Sequence, residues 1–199
     1  MVGDQSSYVS NIMACLRLTI PLLRDRLSSC RKYFTQLCVK FASSFIPKLI
    51  QQLYKCKPIN TLGAEQLLLD VHILKSALLD LPSCGSQVQK KAPITYTKVV
   101  IKGMTTAEMI LKIVMTPTDS STSVVEQFRN LLPDLRSSDF QKILDMKGLR
   151  KTEQVQLIED FKQSVNENST ENSSNFSTVS SEHESGGIKK LEKLIKKRV

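Results

Sequence analysis

The side chains most able to do chemistry are few and scattered. Only two histidines occur, His72 and His183. Five cysteines stand at 15, 30, 38, 56 and 84. That count is odd, and no pair has the two-residue gap of a zinc knuckle or a redox site. Four of the five fall in apolar, helical-looking stretches, where Cys acts as a small hydrophobe, so they read as reduced thiols. No Gly-rich loop precedes a Lys-Ser/Thr pair, and there is no dinucleotide fingerprint, zinc-helix motif or Gly-x-Ser-x-Gly elbow. His72 follows Asp70 on an apolar helix, and His183 lies in a polar tail. The carboxylate pairs Asp70 with Asp80 and Glu159 with Asp160 sit at exposed-looking helix positions. Solvation explains them better than a tuned acid–base pair. The expectation is a protein that is not an enzyme and holds no cofactor and no metal.

Charge is the stronger signal. The 199 residues carry 28 Lys and Arg against 19 Asp and Glu, a formal charge of +9. Residues 1–57 are net +7, residues 58–165 net +1, and residues 188–199 net +5. Residues 166–187 hold four Glu and no Lys or Arg. Basic patches attract phosphate, whether of nucleic acid or of anionic lipid, although many merely solvate a helix. Trp is absent, and most of the aromatic residues fall on apolar stripes away from the basic clusters. That leaves no evident stacking platform for bases, and no helix-turn-helix, finger or basic-zipper pattern appears.

The helical period dominates the apolar pattern. Val9, Ile12, Met13, Leu16, Ile20, Leu23 and Leu27 form one stripe, in which Pro21 predicts a kink or restart. Ser28 or Ser29 is the expected cap of a second helix carrying Phe34, Leu37, Phe41, Phe45, Leu49 and Leu53. Pro47 predicts another bend, and Lys57-Pro58 the end. Thr61 is the expected cap of a third helix, with Leu67, Val71, Leu74, Leu78 and Leu81 buried. Ile94–Lys102 is rich in β-branched residues and could be a strand. No comparable strand exists to pair with it, so it reads as helix. Gly103 is expected to break or bend it, with Thr105 or Thr106 capping the next helix. Val124, Val125, Phe128, Leu131 and Leu132 make a short helix. Ser138–Gln141 looks like a capping box, and Gly148 fits the left-handed position after a helix. Thr152 is expected to start a last core helix with Val155, Ile158, Phe161 and Val165.

These elements imply an all-α protein of stacked helical bundles. The expected bundles are 1–81 and 94–165, joined by a Pro-, Gly- and Ser-containing segment, 82–93. Residues 166–187 include thirteen Ser, Thr or Asn and should be a disordered linker. Its three Asn-x-Ser/Thr triplets, at Asn168, Asn172 and Asn175, read as by-products of composition. Residues 188–199 would form a short basic amphipathic helix, with Ile188, Leu191, Leu194 and Ile195 opposite the basic side chains. No apolar run nears the ~18 residues of a membrane span, and the first residues lack a signal-peptide pattern. The chain therefore reads as soluble and intracellular.

Long runs then become recognisable: RDRLSSCRKYFTQLCVKFASSFIPKLI (24–50), GAEQLLLDVHILKSALLDLPS (63–83), YTKVVIKGMTTAEMILKIVM (96–115), FQKILDMKG (140–148) and KKLEKLIKKR (189–198). They resemble the C-terminal part of the vacuolar protein sorting-associated protein 53 family, from about residue 17 onward. The resemblance is weaker over 116–135 and in the polar linker. It implies a rod-like, non-catalytic subunit of the GARP and EARP vesicle-tethering complexes, in endosome-to-trans-Golgi retrograde transport and endocytic recycling. It implies a place on the cytosolic face of the trans-Golgi network and recycling endosomes. The implied partners are the other GARP/EARP subunits, SNAREs or vesicle membrane, and not nucleic acid. The family's assembling coiled-coil region is missing from this chain, which reads as an isoform, partial product or fragment, so assembly on its own is in question. The expected interaction surface comprises Arg24, Arg26, Arg31, Lys32 and Lys40, then Lys98, Lys102 and Lys112. The tail would add Lys189, Lys190, Lys193, Lys196, Lys197 and Arg198. The competing class, from charge alone, is a small basic helical nucleic-acid-binding protein. A helical enzyme would need a pocket with convergent polar groups near His72.

Overall fold

The computed structural model of the chain describes residues 3–85, 92–117 and 121–174. Helices dominate them, and no strand occurs among the described residues. The helices are α1 (Ser7–Arg26), α2 (Arg31–Leu53), α3 (Thr61–Asp80), α4 (Ile94–Met115), α5 (Ser121–Leu131), α6 (Ser137–Lys147) and α7 (Lys151–Ser174). The chain divides into two units, Met1–Ile158 and Glu159–Val199.

Helix α4 is the hub of the first unit and packs on α2, α3, α5 and α6. Its composition demands this. Tyr96, Val100, Met104, Ala107, Leu111 and Val114 are buried on one side, and Ile110 and Ile113 widen the buried surface. A helix that apolar needs neighbours on more than one side. The β-branched run Val99–Ile101 is helical, as expected. The propensity loss is a fraction of a kcal/mol per residue, whereas burying a large side chain yields roughly 1.5–3 kcal/mol.

Gly103 does not break this helix. Helix α4 runs uninterrupted from Ile94 to Met115, so Thr105 and Thr106 lie inside it and cap nothing. A Cβ at Gly103 would stand 2.6 Å from Ile46 Cγ2, so the glycine is there to let α2 approach. The same closeness explains the buried line of α2: Phe34, Cys38, Ala42, Ile46 and Leu53. The expected line through Leu37, Phe41 and Phe45 is displaced by one position. Leu37 is exposed, and the half-buried rings of Phe41 and Phe45 stack at 5.5 Å. Small Cys38 and Ala42 suit a close crossing better than two phenylalanines do.

Helix ends also differ from the expectations. Helix α1 continues through Pro21 and α2 through Pro47. A 3-10 turn, Ser28–Cys30, precedes α2, and neither serine caps it. Helix α2 ends at Leu53, before the cis Lys57-Pro58 bond. Asn60, not Thr61, caps α3, its Oδ1 accepting from Gly63 N at 2.8 Å. The capping box expected at Ser138–Gln141 does not form: α6 starts at Ser137, the cap position is Arg136 with no side-chain cap, and Gln141 Nε2 donates instead to Gln154 Oε1 at 2.6 Å. Gly148 holds the expected left-handed conformation, φ 70°. Helix α7 begins at Lys151, and Glu153 Oε2 accepts from Arg150 N at 3.1 Å. Leu157 is buried there, whereas Val155 is 56% exposed.

Several ties link elements on the two sides of 82–93. Ile59 N donates to Met146 O at 2.8 Å, Lys57 pairs with Asp145 at 3.0 Å, and α4 lies along α2 and α3. Helix α7 continues to Ser174, nine residues into the segment expected as linker. Extending a formed helix adds one backbone bond per residue without a new nucleus, which offsets a polar sequence. The rest of that segment, its triplet at Asn175 and the basic tail 188–199 lie outside the described residues.

Candidate functional site

The expected basic residues do not share one role. Arg24, at the end of α1, is a structural tie. Its guanidinium donates to Cys84 O at 2.7 Å and Gly85 O at 2.9 Å, and it lies 3.3 Å from Asp25. Lys102 pairs with Asp134 at 3.1 Å, both well exposed, a geometry worth little in water. Arg26, Arg31, Lys32, Lys40, Lys98 and Lys112 are exposed and form no salt bridge among the described residues. Arg31 and Lys32 line one shallow recess with Ser28, Ser29, Cys30, Tyr33 and Gln36. Lys98 and Lys102 line another on α4, beside Ile94 and Ile101. The six basic residues of the tail, from Lys189 to Arg198, lie outside the described residues.

Two charged side chains serve helix ends in a way the sequence did not reveal. Asp70, expected at an exposed position, is wholly buried. Its Oδ1 accepts from Ser6 N at 2.9 Å, so a carboxylate of α3 caps the N-terminus of α1, where Ser6's own side chain does not. The positive end of the α1 dipole favours that charge. Gln66 Nε2 also reaches Asp70 Oδ1, at 3.4 Å. Burial first, and the neighbouring Asp70 carboxylate second, push the Tyr8 phenol well above its usual range.

Lys147 does the converse at the other kind of helix end. Its ammonium donates to Val114 O at 2.9 Å, Ile113 O at 3.3 Å and Thr116 O, closing the C-terminus of α4. Burial pushes it down to about 8. Neither residue had a sequence signal. Asp70 lies 64 positions from Ser6 and Lys147 33 from Val114, and local pattern carries no such pairing.

A groove between α1 and α3 does run beside His72. Met13, Leu16, Ile73, Ala77 and Leu81 contribute its apolar lining, and Arg17 and Asp80 also border it. The polar groups do not converge there. His72 is 71% exposed and stands 3.8 Å from Glu108, which Lys75 engages at 2.8 Å. Lys75 also donates to Thr105 Oγ1 at 3.0 Å, so this cluster joins α3 to α4. Among the described residues no three potential ligands gather around a metal position, and no helix is long and apolar enough to cross a membrane.

Fold and surface together define an all-α scaffold in which Asp70 and Lys147 serve helix ends, Arg24 and Lys75 tie elements together, and Arg26, Arg31, Lys32, Lys40, Lys98 and Lys112 face solvent. Residues 65–149 match the family described as vacuolar protein sorting-associated protein 53 C-terminus. The chain is similar to a vacuolar protein sorting-associated protein 53 homolog of Caenorhabditis elegans, 42% identical over 161 residues, 81% of this chain and 20% of that protein. It is also similar to vacuolar protein sorting-associated protein 53 A of Arabidopsis thaliana, 39% identical over 160 residues, 80% of this chain and 18% of that one. The B form of that plant is 37% identical over 101 residues, 48% of this chain and 17% of its own length. No solved structure matches. The chain carries the C-terminal region of the vacuolar protein sorting-associated protein 53 family, and spans about a fifth of the curated relatives it matches. Neither the family's description nor the relatives' names point to a catalytic activity.

Proposed function

We propose that this chain is a non-catalytic part of a vesicle-tethering subunit, acting in protein sorting. In the specific form of the reading it belongs to the GARP and EARP tethers and serves endosome-to-trans-Golgi retrograde transport and endocytic recycling. It works at the cytosolic face of the trans-Golgi network and recycling endosomes, with the other tether subunits, SNAREs or vesicle membrane as partners. The observation that supports this most is the 42% identity over 161 residues to a protein named for vacuolar protein sorting. The physical chemistry agrees with it. Buried Asp70 and half-buried Lys147 are both occupied at helix ends, in keeping with a scaffold.

A chimera provides the test. The matching segment of the Caenorhabditis elegans relative is replaced by this chain, and return of an endosomal cargo to the trans-Golgi network is scored in cells lacking the endogenous protein. Rescue close to that by the intact relative is expected, with the other tether subunits co-purifying. A chimera that is stable and co-purifies with them yet returns no cargo would overturn the reading.

A further inference from the structure

The turn joining α1 to α2 concentrates charge without counter-charge. Arg26 ends α1, and Arg31 and Lys32 open α2. All three are exposed and have no salt bridge among the described residues. Asp25, the one carboxylate between Leu18 and Lys40, lies against Arg24, which is itself tied to Cys84 and Gly85. Apolar side chains stand out beside these cations. Leu18 is 72% exposed, Leu22 64% and Tyr33 62%. Leu18, Leu22 and Arg26 follow at four-residue spacing, so they share the outer face of α1. Tyr33 lines the same recess as Arg31 and Lys32.

We propose that this corner is a docking site for an anionic lipid bilayer. The three cations would meet headgroup phosphates and carboxylates, while Leu22 and Tyr33 enter the interfacial layer. Charge complementarity selects an anionic partner, and the apolar residues select among anionic partners. A phosphate backbone in water gives a protruding leucine nothing, whereas a bilayer interface takes up both leucine and tyrosine. Docking needs no refolding, because the buried faces of α1 and α2 are turned to the bundle. The proposal names the partner of the tethering reading and rests on it. Its test uses purified protein and vesicles, so it fails or succeeds separately from the cargo assay.

The full 199-residue chain is floated with phosphatidylcholine vesicles, with and without phosphatidylserine. Recovery with the anionic vesicles alone is expected, weakening as salt is raised. A basic side chain near an anionic leaflet is worth about 1 kcal/mol, roughly fivefold in partitioning. The triple variant Arg26→Ala, Arg31→Ala, Lys32→Ala should therefore bind about a hundredfold more weakly, with an unchanged thermal transition. Leu22→Ser with Tyr33→Ser should weaken binding at every salt concentration, and the control Lys98→Ala with Lys112→Ala should not. Residues 188–199 stay intact throughout. Undiminished flotation of the triple variant would assign the binding elsewhere and overturn the proposal. Equal recovery on neutral vesicles, no recovery on either, or full competition by millimolar inorganic phosphate would each overturn it too.

Discussion

Lys147 and Lys32 are the same residue type with opposite fates. Lys147 is half-buried, its ammonium shared among the carbonyls at the end of α4. Lys32 stands at the α1–α2 corner, exposed and without a carboxylate. Asp70 and Asp25 repeat the contrast among acids, one wholly buried at a helix start and one exposed against Arg24. Charge along a chain is thus a poor guide to surface. A cation near a helix C-terminus, or an anion near an N-terminus, replaces hydration with backbone partners and a favourable dipole. The same charge elsewhere stays in water and is free to meet a partner.

That contrast breaks most sharply at the two caps. Asp70→Ala should cost roughly 3 kcal/mol in chemical denaturation, since it leaves the Ser6 N–H unpaired and opens a void between α1 and α3. Lys147→Ala should cost about 2–3 kcal/mol for the carbonyls of α4 left without a donor. Costs below about 0.5 kcal/mol at both would mean that these charges are as idle as Lys32. Gly103→Ala comes next, at roughly 1–3 kcal/mol, because its Cβ would press on Ile46. In an Ile46→Ala background, which removes the Cγ2 that the new Cβ meets, Gly103→Ala should cost less, and strict additivity of the two would remove the close-crossing argument.

Alkaline pH sharpens the comparison further. Between about 8 and the ordinary lysine value near 10.4, the unfolded chain keeps a proton that Lys147 has released in the fold. Stability should therefore rise with pH across that window. Tyr96 acts in the other direction. It is fully buried, its hydroxyl donates to Leu78 O, and burial holds its phenol above the usual range. Its contribution is present below about pH 10 and is lost as pH rises further, because only the unfolded chain gives up that proton readily. Urea midpoints across this range should climb and then fall. Lys147→Met should flatten the climb and Tyr96→Phe should soften the fall. The smallest effect belongs to the exposed cations: Lys32→Ala or Lys40→Ala should shift stability by less than about 0.5 kcal/mol.

Much of the fold was legible because it follows from local spacing. Val71, Leu74, Leu78 and Leu81 are buried as their period implies, whereas Leu67, expected with them, is only half-buried. The left-handed Gly148 could be read from its place after Ile143, Leu144 and Lys147. Errors came where a neighbouring helix chose between near-equal faces. Helix α2 offered two apolar lines one residue apart, and the approach of α4 at Gly103 selected the slimmer one. Val155 gave way to Leu157 in the same manner. Of the candidate surface, the exposure of Arg26, Arg31 and Lys32 was legible, whereas the capture of Arg24 by Cys84 and Gly85 was not.

The sequence by itself determined helices, their number of apolar faces and the excess of positive charge, since period and composition are local quantities. Tertiary structure alone decided which acid left the water, which lysine turned to helix carbonyls, and which cations remained in solvent. Those choices depend on where distant helix ends come to lie, and only the packed bundle brings an orphaned N–H of α1 to a carboxylate on α3, or the carbonyls of α4 to an ammonium on α6.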